Sequence, residues 1–134
     1  MRHYTRSAFA LALLGIFCTP FTVQAAEPVY EVESTSEKPL IVIRFNQRHV
    51  MYERSLYNTI SRALQVKPSA VFDVVSVAPQ AKDKASQQRN NAIATQNTRK
   101  VLATLHEMGL PESRISLSDA SDQLDATEVR IFVR

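Results

Sequence analysis

The residues best equipped for chemistry gather near position 85. Lys82, Asp83, Lys84 and Arg89 lie beside the start of a long helical stretch, where backbone N–H groups can hold an anion. Asp73 interrupts the apolar run Ala70-Val71-Phe72-Asp73-Val74-Val75-Ser76-Val77. A carboxylate there is costly without a partner, so it is either a ligand-binding group or, the reading favoured here, a partnered or solvent-facing charge. His49 falls in a polar turn and His106 follows an apolar helix position; neither is spaced from the other or from carboxylates as metal ligands are. Both read as solvated or capping residues. The only glycines are Gly15 and Gly109, which excludes phosphate-binding and dinucleotide loops and a nucleophile elbow. No catalytic, metal or cofactor site is expected, and the chain reads as non-enzymatic.

The elements that must position these residues follow from periodicity. Residues 40–45 (Leu-Ile-Val-Ile-Arg-Phe) form a β-branched apolar run after Pro39, which suits a buried strand. Tyr52, Leu56, Ile60, Ala63 and Leu64 recur at helical spacing and predict a helix over 52–65, stopped by Lys67-Pro68-Ser69. Residues 70–77 predict a second strand, apolar on both faces and therefore central. A long helix is expected over 86–108, with Ile93, Asn97, Val101, Leu105 and Met108 in one row and Ala94, Thr98 and Leu102 beside it. Gly109 supplies its left-handed cap and Pro111 prevents its resumption. Residues 114–118 and 128–134 alternate as strands, with Val129, Ile131 and Val133 inward, separated by a polar loop over 119–127. The order strand, helix, strand, helix, strand, strand calls for an α+β two-layer sandwich, its helices packed on one mixed sheet. Helical crossovers make their strands parallel if these pair directly, and the last strand can return antiparallel.

The N-terminus has another character. Arg2 and Arg6 form a basic head, residues 8–18 (AFALALLGIFC) an apolar run of 11 residues, and Val23-Gln24-Ala25 a cleavage site. This is the pattern of a secretory signal, and the run is too short for a hydrocarbon core, which needs ~20 helical residues. We expect residues 1–25 to be removed. A retained anchor and a lipidated Cys18 are the alternatives, the latter opposed by bulky Phe17 before it. The 109 residues left of 134 carry 14 of the 16 basic side chains against 13 acidic ones. That balance is too neutral for nucleic acid and holds no polybasic block for a membrane surface; no transmembrane span is expected in the mature chain. Without cysteine the mature chain has no disulfide and relies on one hydrophobic core. Residues 26–38, with Glu27, Glu31, Glu33 and Glu37, read as a polar tether.

Counting back from Gly109, the long helix presents Asn90, Ile93-Ala94, Asn97-Thr98, Val101 and Leu105. This resembles the OmpA-like envelope domain, the family of the OmpA and MotB C-terminal domains, over residues 39–134. In that family an Asn opens the helix, Leu-Ser and Arg-Ala pairs follow at matching intervals, and Val, Leu and Gly close it. The resemblance implies an OmpA-like fold and a place in the periplasm at the outer membrane or cell wall. Relatives that bind peptidoglycan grip its diaminopimelate with an Asp and the helix Arg, through ammonium and forked carboxylate pairs. Here those positions hold Lys82, with Asp83 beside it, and Asn97. The family's Gly-containing Thr-Asp loop is replaced by Ala78-Pro79-Gln80-Ala81.

The resemblance therefore implies a degenerate ligand groove around Lys82, Asp83, Arg89 and Asn97. Three phrases, RALQVKPSAVFDVVSVAP, EMGLPESRISLS and EVRIFVR, are also similar to the small OmpA-like proteins of type IVB secretion systems, the IcmN/DotK kind. The expected role is a structural or accessory component acting through contacts with envelope or secretion-complex proteins. The alternative is a peptidoglycan-binding module that uses Asp83 and Arg89. A small hydrolase would need a pocket joining His49 to a carboxylate.

Overall fold

The computed structural model describes residues 38–134; the expected signal peptide, and the tether up to residue 37, lie outside the described residues. Six main elements follow in order: β1 (Ile41–Arg44), α1 (Glu53–Val66), β2 (Phe72–Pro79), α2 (Lys84–Glu107), β3 (Ile115–Asp122) and β4 (Glu128–Val133). The fold is α+β, two helices on a four-stranded mixed sheet, as the element order predicts.

α1 exists to bury one stripe. Tyr52, Leu56 and Ile60, one helical turn apart, are 9%, 0% and 1% exposed. The ring of Tyr52 meets Phe45 edge-on at 5.8 Å, and its hydroxyl lies 3.5 Å from that of Thr104 on α2, so one side chain joins both helices to the β1 exit. The helix stops at Lys67, whose N–H donates to the Ala63 carbonyl, because Pro68 disfavours helical geometry in the residue before it.

α2 is closed at both ends. Asp83 caps its start, accepting from the Ser86 N–H at 2.8 Å. At its end Gly109 takes φ +84°. Its N–H donates to the His106 carbonyl, and the Leu110 N–H donates back to Leu105. This is the paired-bond exit that left-handed glycine permits, with buried Leu110 and Leu105 supplying the apolar contact across it. The inward stripe of α2 is Ala94, Asn97, Thr98, Val101 and Leu105. Ile93, expected inward, is 50% exposed while Ala94 is 2% exposed. The first half of the helix lies over Ser76 and Ala78 of β2, with Ala94 turned towards them.

The strand order is β1-β4-β2-β3. β2 and β3 pair in parallel, as a direct crossover requires. β1 and β2 do not pair, because β4 enters antiparallel between them. Ile131 sits opposite Ile41 on one side and Val74 on the other. The helix-covered face holds Ile43, Phe72, Val74, Val129 and Ile131, each 3% exposed or less. β2 is central, as its two apolar faces predict. β3 runs further than its alternation suggests. Residues 119–122, expected in a loop, pair in register with β2 as Ser76↔Asp119 through Pro79↔Asp122. Backbone bonds to a well-packed neighbour override the weak β-propensity of Asp and Ser.

A Cβ built on Gly109 meets no atom within 4 Å, so the cost of a side chain there is one of backbone conformation alone. We expect Gly109→Ala to cost about 1 kcal/mol and to lower the thermal midpoint by roughly 4–8 °C, measured by circular dichroism melting.

Candidate functional site

The β2–α2 loop that leads into the long helix is held without glycine. The Pro79 carbonyl accepts from Asn90 Nδ2 at 2.9 Å and from Gln87 Nε2 at 3.4 Å. Gln87 Oε1 accepts in turn from the Ala81 N–H at 2.8 Å. The Gln80 N–H donates to the Asp122 carbonyl, carrying the β2–β3 pairing one residue on. The amide side chains of the first helical turns thus tie the loop down.

Of the four expected site residues, three share this corner and one does not. Lys82, Asp83 and Arg89 are exposed. Arg89 donates to the Ser86 hydroxyl at 2.8 Å. Asp83 is spent on its own helix: hydrogen bonds from Ser86, side chain first and backbone N–H next, hold its carboxyl below the usual range. The helix start already has its anion, which works against an external one there. Asn97 lies further along the helix, about 21 Å from Asp83 and about 12 Å from Arg89 at ~1.5 Å per helical residue. It is 8% exposed, and its amide donates to the hydroxyl of buried Thr127 at 2.8 Å. It stitches α2 to the turn before β4. The arrangement at these positions is structural rather than a convergent cation–carboxylate pair.

Asp73 has the partner its position demanded. Its Oδ1 lies 2.8 Å from the guanidinium of Arg134, a charge contact without the alignment of a hydrogen bond. His49 is exposed between β1 and α1, and His106 is exposed on α2. Among the described residues no group of His, Cys, Asp and Glu is gathered to hold a metal ion, and no helix is long and apolar enough to cross a membrane.

Two features escaped sequence reasoning. Glu128, at the start of β4, is 2% exposed. It accepts from Arg44 Nε at 2.7 Å and from Arg130 Nε at 3.0 Å, and Arg130 reaches Asp122 at 3.0 Å. Burial opposes the charge on Arg130, but its bonds to Asp122 and Glu128 outweigh that and raise its pKa. The Arg130 hydrogen bond, followed by that from the Gln123 N–H, lowers the pKa of Asp122. Period-2 alternation hinted at this cluster, since it sets 128 and 130 on one face. The second feature is a groove of about 260 Å³ between α2 and the β2–β3 pair, lined by Ser76, Ala78, Asn91, Thr95, Asp119 and Ser121 among others. A larger cavity of about 740 Å³ lies elsewhere, between the end of α1 and β4, over Leu40, Ala63, Val66 and Val133 with Arg62 and Arg134 at its rim. It contains none of the expected site residues.

Two outcomes follow from this geometry. Asn97→Ala removes one buried bond and leaves the Thr127 hydroxyl unpaired, a loss of about 1–3 kcal/mol in denaturant unfolding. A double-mutant cycle with Thr127→Val should recover part of that loss as coupling. The second concerns pH. The folded pKa values of Asp83 and Asp122 are depressed, so their contribution is complete above the ordinary aspartate pKa near ~3.9. It is lost as pH falls through the depressed folded values. Asp122→Asn should flatten the acid limb of a stability–pH profile. Compared with known proteins, the chain matches no family model and no curated protein, so the reading of this site rests on its own residues.

Proposed function

We propose that the chain is a non-enzymatic, exported component of the cell envelope, an OmpA-like domain that works through protein contacts. The fold supports this reading: its element order is the one the resemblance implies, and Gly109 closes the long helix with the expected left-handed exit. The observation that carries it is Asn97. Where a peptidoglycan-binding relative has an arginine facing ligand, this chain has a buried amide bonded to Thr127. A guanidinium in that place would have to be desolvated, and the hydroxyl opposite cannot neutralise it. Asp83, the nearest carboxylate to the other family position, is committed to the helix cap. Within the envelope, the three local phrases favour an accessory role in a type IVB secretion assembly.

Asp83 and Arg89 remain exposed in the first turns of α2, and this favours the second reading, a peptidoglycan module that uses them. Co-sedimentation with purified sacculi separates the two. We expect the full chain to stay in the supernatant, and Asp83→Asn and Arg89→Ala to make no difference. Pelleting that either substitution abolishes would replace the protein-contact reading with the peptidoglycan one. N-terminal sequencing of the protein recovered from the periplasm should begin at Ala26; recovery with residues 1–25 still attached would refute export by cleavage.

A further inference from the structure

The two edges of the sheet are unequal. β1 is four residues long and carries Arg44, the kind of short, charged edge that discourages pairing with other chains. β3 is eight residues long, and 116–121 are all exposed. Among the described residues it pairs with β2 alone, so half of its backbone N–H and C=O groups point away from the sheet with no described strand beside them. Its sequence, Ile-Ser-Leu-Ser-Asp-Ala-Ser-Asp, has no proline and no lysine to blunt that edge.

A groove runs beside this edge. Its walls are α2 and β3, and its floor includes Ser76, 4% exposed, and Ala78. The β2–β3 register sets Leu117 opposite Val74 and Asp119 opposite Ser76, so both project on the helix-covered side of the sheet. α2 does not reach over them: Leu117 is 58% exposed. Asp119 takes part in none of the ion pairs among the described residues, and no cation lines the groove.

An open edge with a side-chain pocket beside it is the geometry of recognition by strand addition. Main-chain bonds supply affinity and alternate side chains supply specificity. We propose that the β3 edge and its groove receive an extended segment of a partner protein that carries a lysine or arginine with an aliphatic residue two positions away. The cation pairs with Asp119 and the aliphatic side chain covers Leu117, cross-strand neighbours on one face. A second copy of this strand does not supply that cation, because β3, Ile-Ser-Leu-Ser-Asp-Ala-Ser-Asp, holds no basic residue to set against Asp119. The same carboxylate rejects purely apolar and acidic strands, which keeps an otherwise unguarded edge selective. This deepens the protein-contact reading by naming its surface, and it stands on the sheet edge rather than on the cell compartment.

The test is a selection of random dodecapeptides displayed on phage against the full chain, run in parallel against Asp119→Asn and Asp119→Lys. Far-UV circular dichroism serves as the folding control. Winners should carry the basic–x–aliphatic spacing in either direction, weaken about fivefold on Asp119→Asn, and give way to acidic winners on Asp119→Lys. Hydrogen exchange with a winning peptide should show new protection at alternate amides of β3. Winners without a cation, a charge preference indifferent to Asp119, or unchanged exchange in β3 would each overturn the proposal. The wider reading fails separately. Photo-crosslinks to envelope proteins from surfaces other than β3 would leave the protein-contact reading standing while the edge falls. Peptide capture at β3 by a chain that is never exported would do the reverse.

Discussion

β4 comes last in the order of elements and sits inside the sheet. It pairs with β1 through Ile41↔Ile131 and Ile43↔Val129, and with β2 through Val74↔Ile131 and Ser76↔Val129. Neither β1 nor β3 touches the other side of the sheet without it. Val129 and Ile131 are fully buried, under the core that both helices complete with Leu56, Ile60, Val101 and Leu105. Removing apolar surface from water is what holds such a sheet to its helices, at about 25 cal/mol per Å². β4 is therefore both the hydrogen-bonding centre and the apolar centre of the fold.

Two of the residues that first suggested a ligand site, Asp83 and Asn97, are engaged in placing the long helix and that strand, and a charged cluster that sequence reasoning missed does the rest. Asn97 reaches across from α2 to Thr127, immediately before β4. Glu128 follows, buried between Arg44 of β1 and Arg130 of its own strand. Arg130 extends the chain of charges to Asp122 at the end of β3. A buried carboxylate is tolerated only with such partners, and the outcome is a register mark: a slip of β4 by one residue would turn Glu128 towards the helices and Val129 away from them. What reads as chemistry along the chain is here mostly alignment.

How much of this was legible depends on range. Both helices are written locally, in the Tyr52–Leu56–Ile60 stripe and in Gly109 with Pro111, so their existence and ends could be read to within about two residues. The strands at 40–45 and 70–77 announce themselves by β-branched runs. The strand order does not, because nothing within β4 says that it enters between β1 and β2. The second half of β3 was hidden for the same reason: Asp119, Ala120, Ser121 and Asp122 are strand only because β2 lies alongside. Asp73 called for a partner, but that partner, Arg134, is distant in sequence. Of the four expected site residues, Lys82, Asp83 and Arg89 do share a corner. Asn97 was joined to them by the register of a resemblance, and about two to four helical turns of α2 separate it from them.

The central place of β4 also dictates an order of events in time. β1 and β2, with α1 between them, can form early, but they leave a gap one strand wide and cannot bond across it. The sheet closes only when residues 128–133 arrive, after α2 and β3. Closure thus depends on contacts between the two ends of the domain, whose loop-closure entropy must be met before they contribute anything. Until then Ile43 has no strand beside it, Phe72 and Val74 have one only on the β3 side, and a chain interrupted before Glu128 has no route to a finished sheet. Folding should be close to all-or-none and slow for so small a domain, with the arrival of residues 128–133 deciding when it happens.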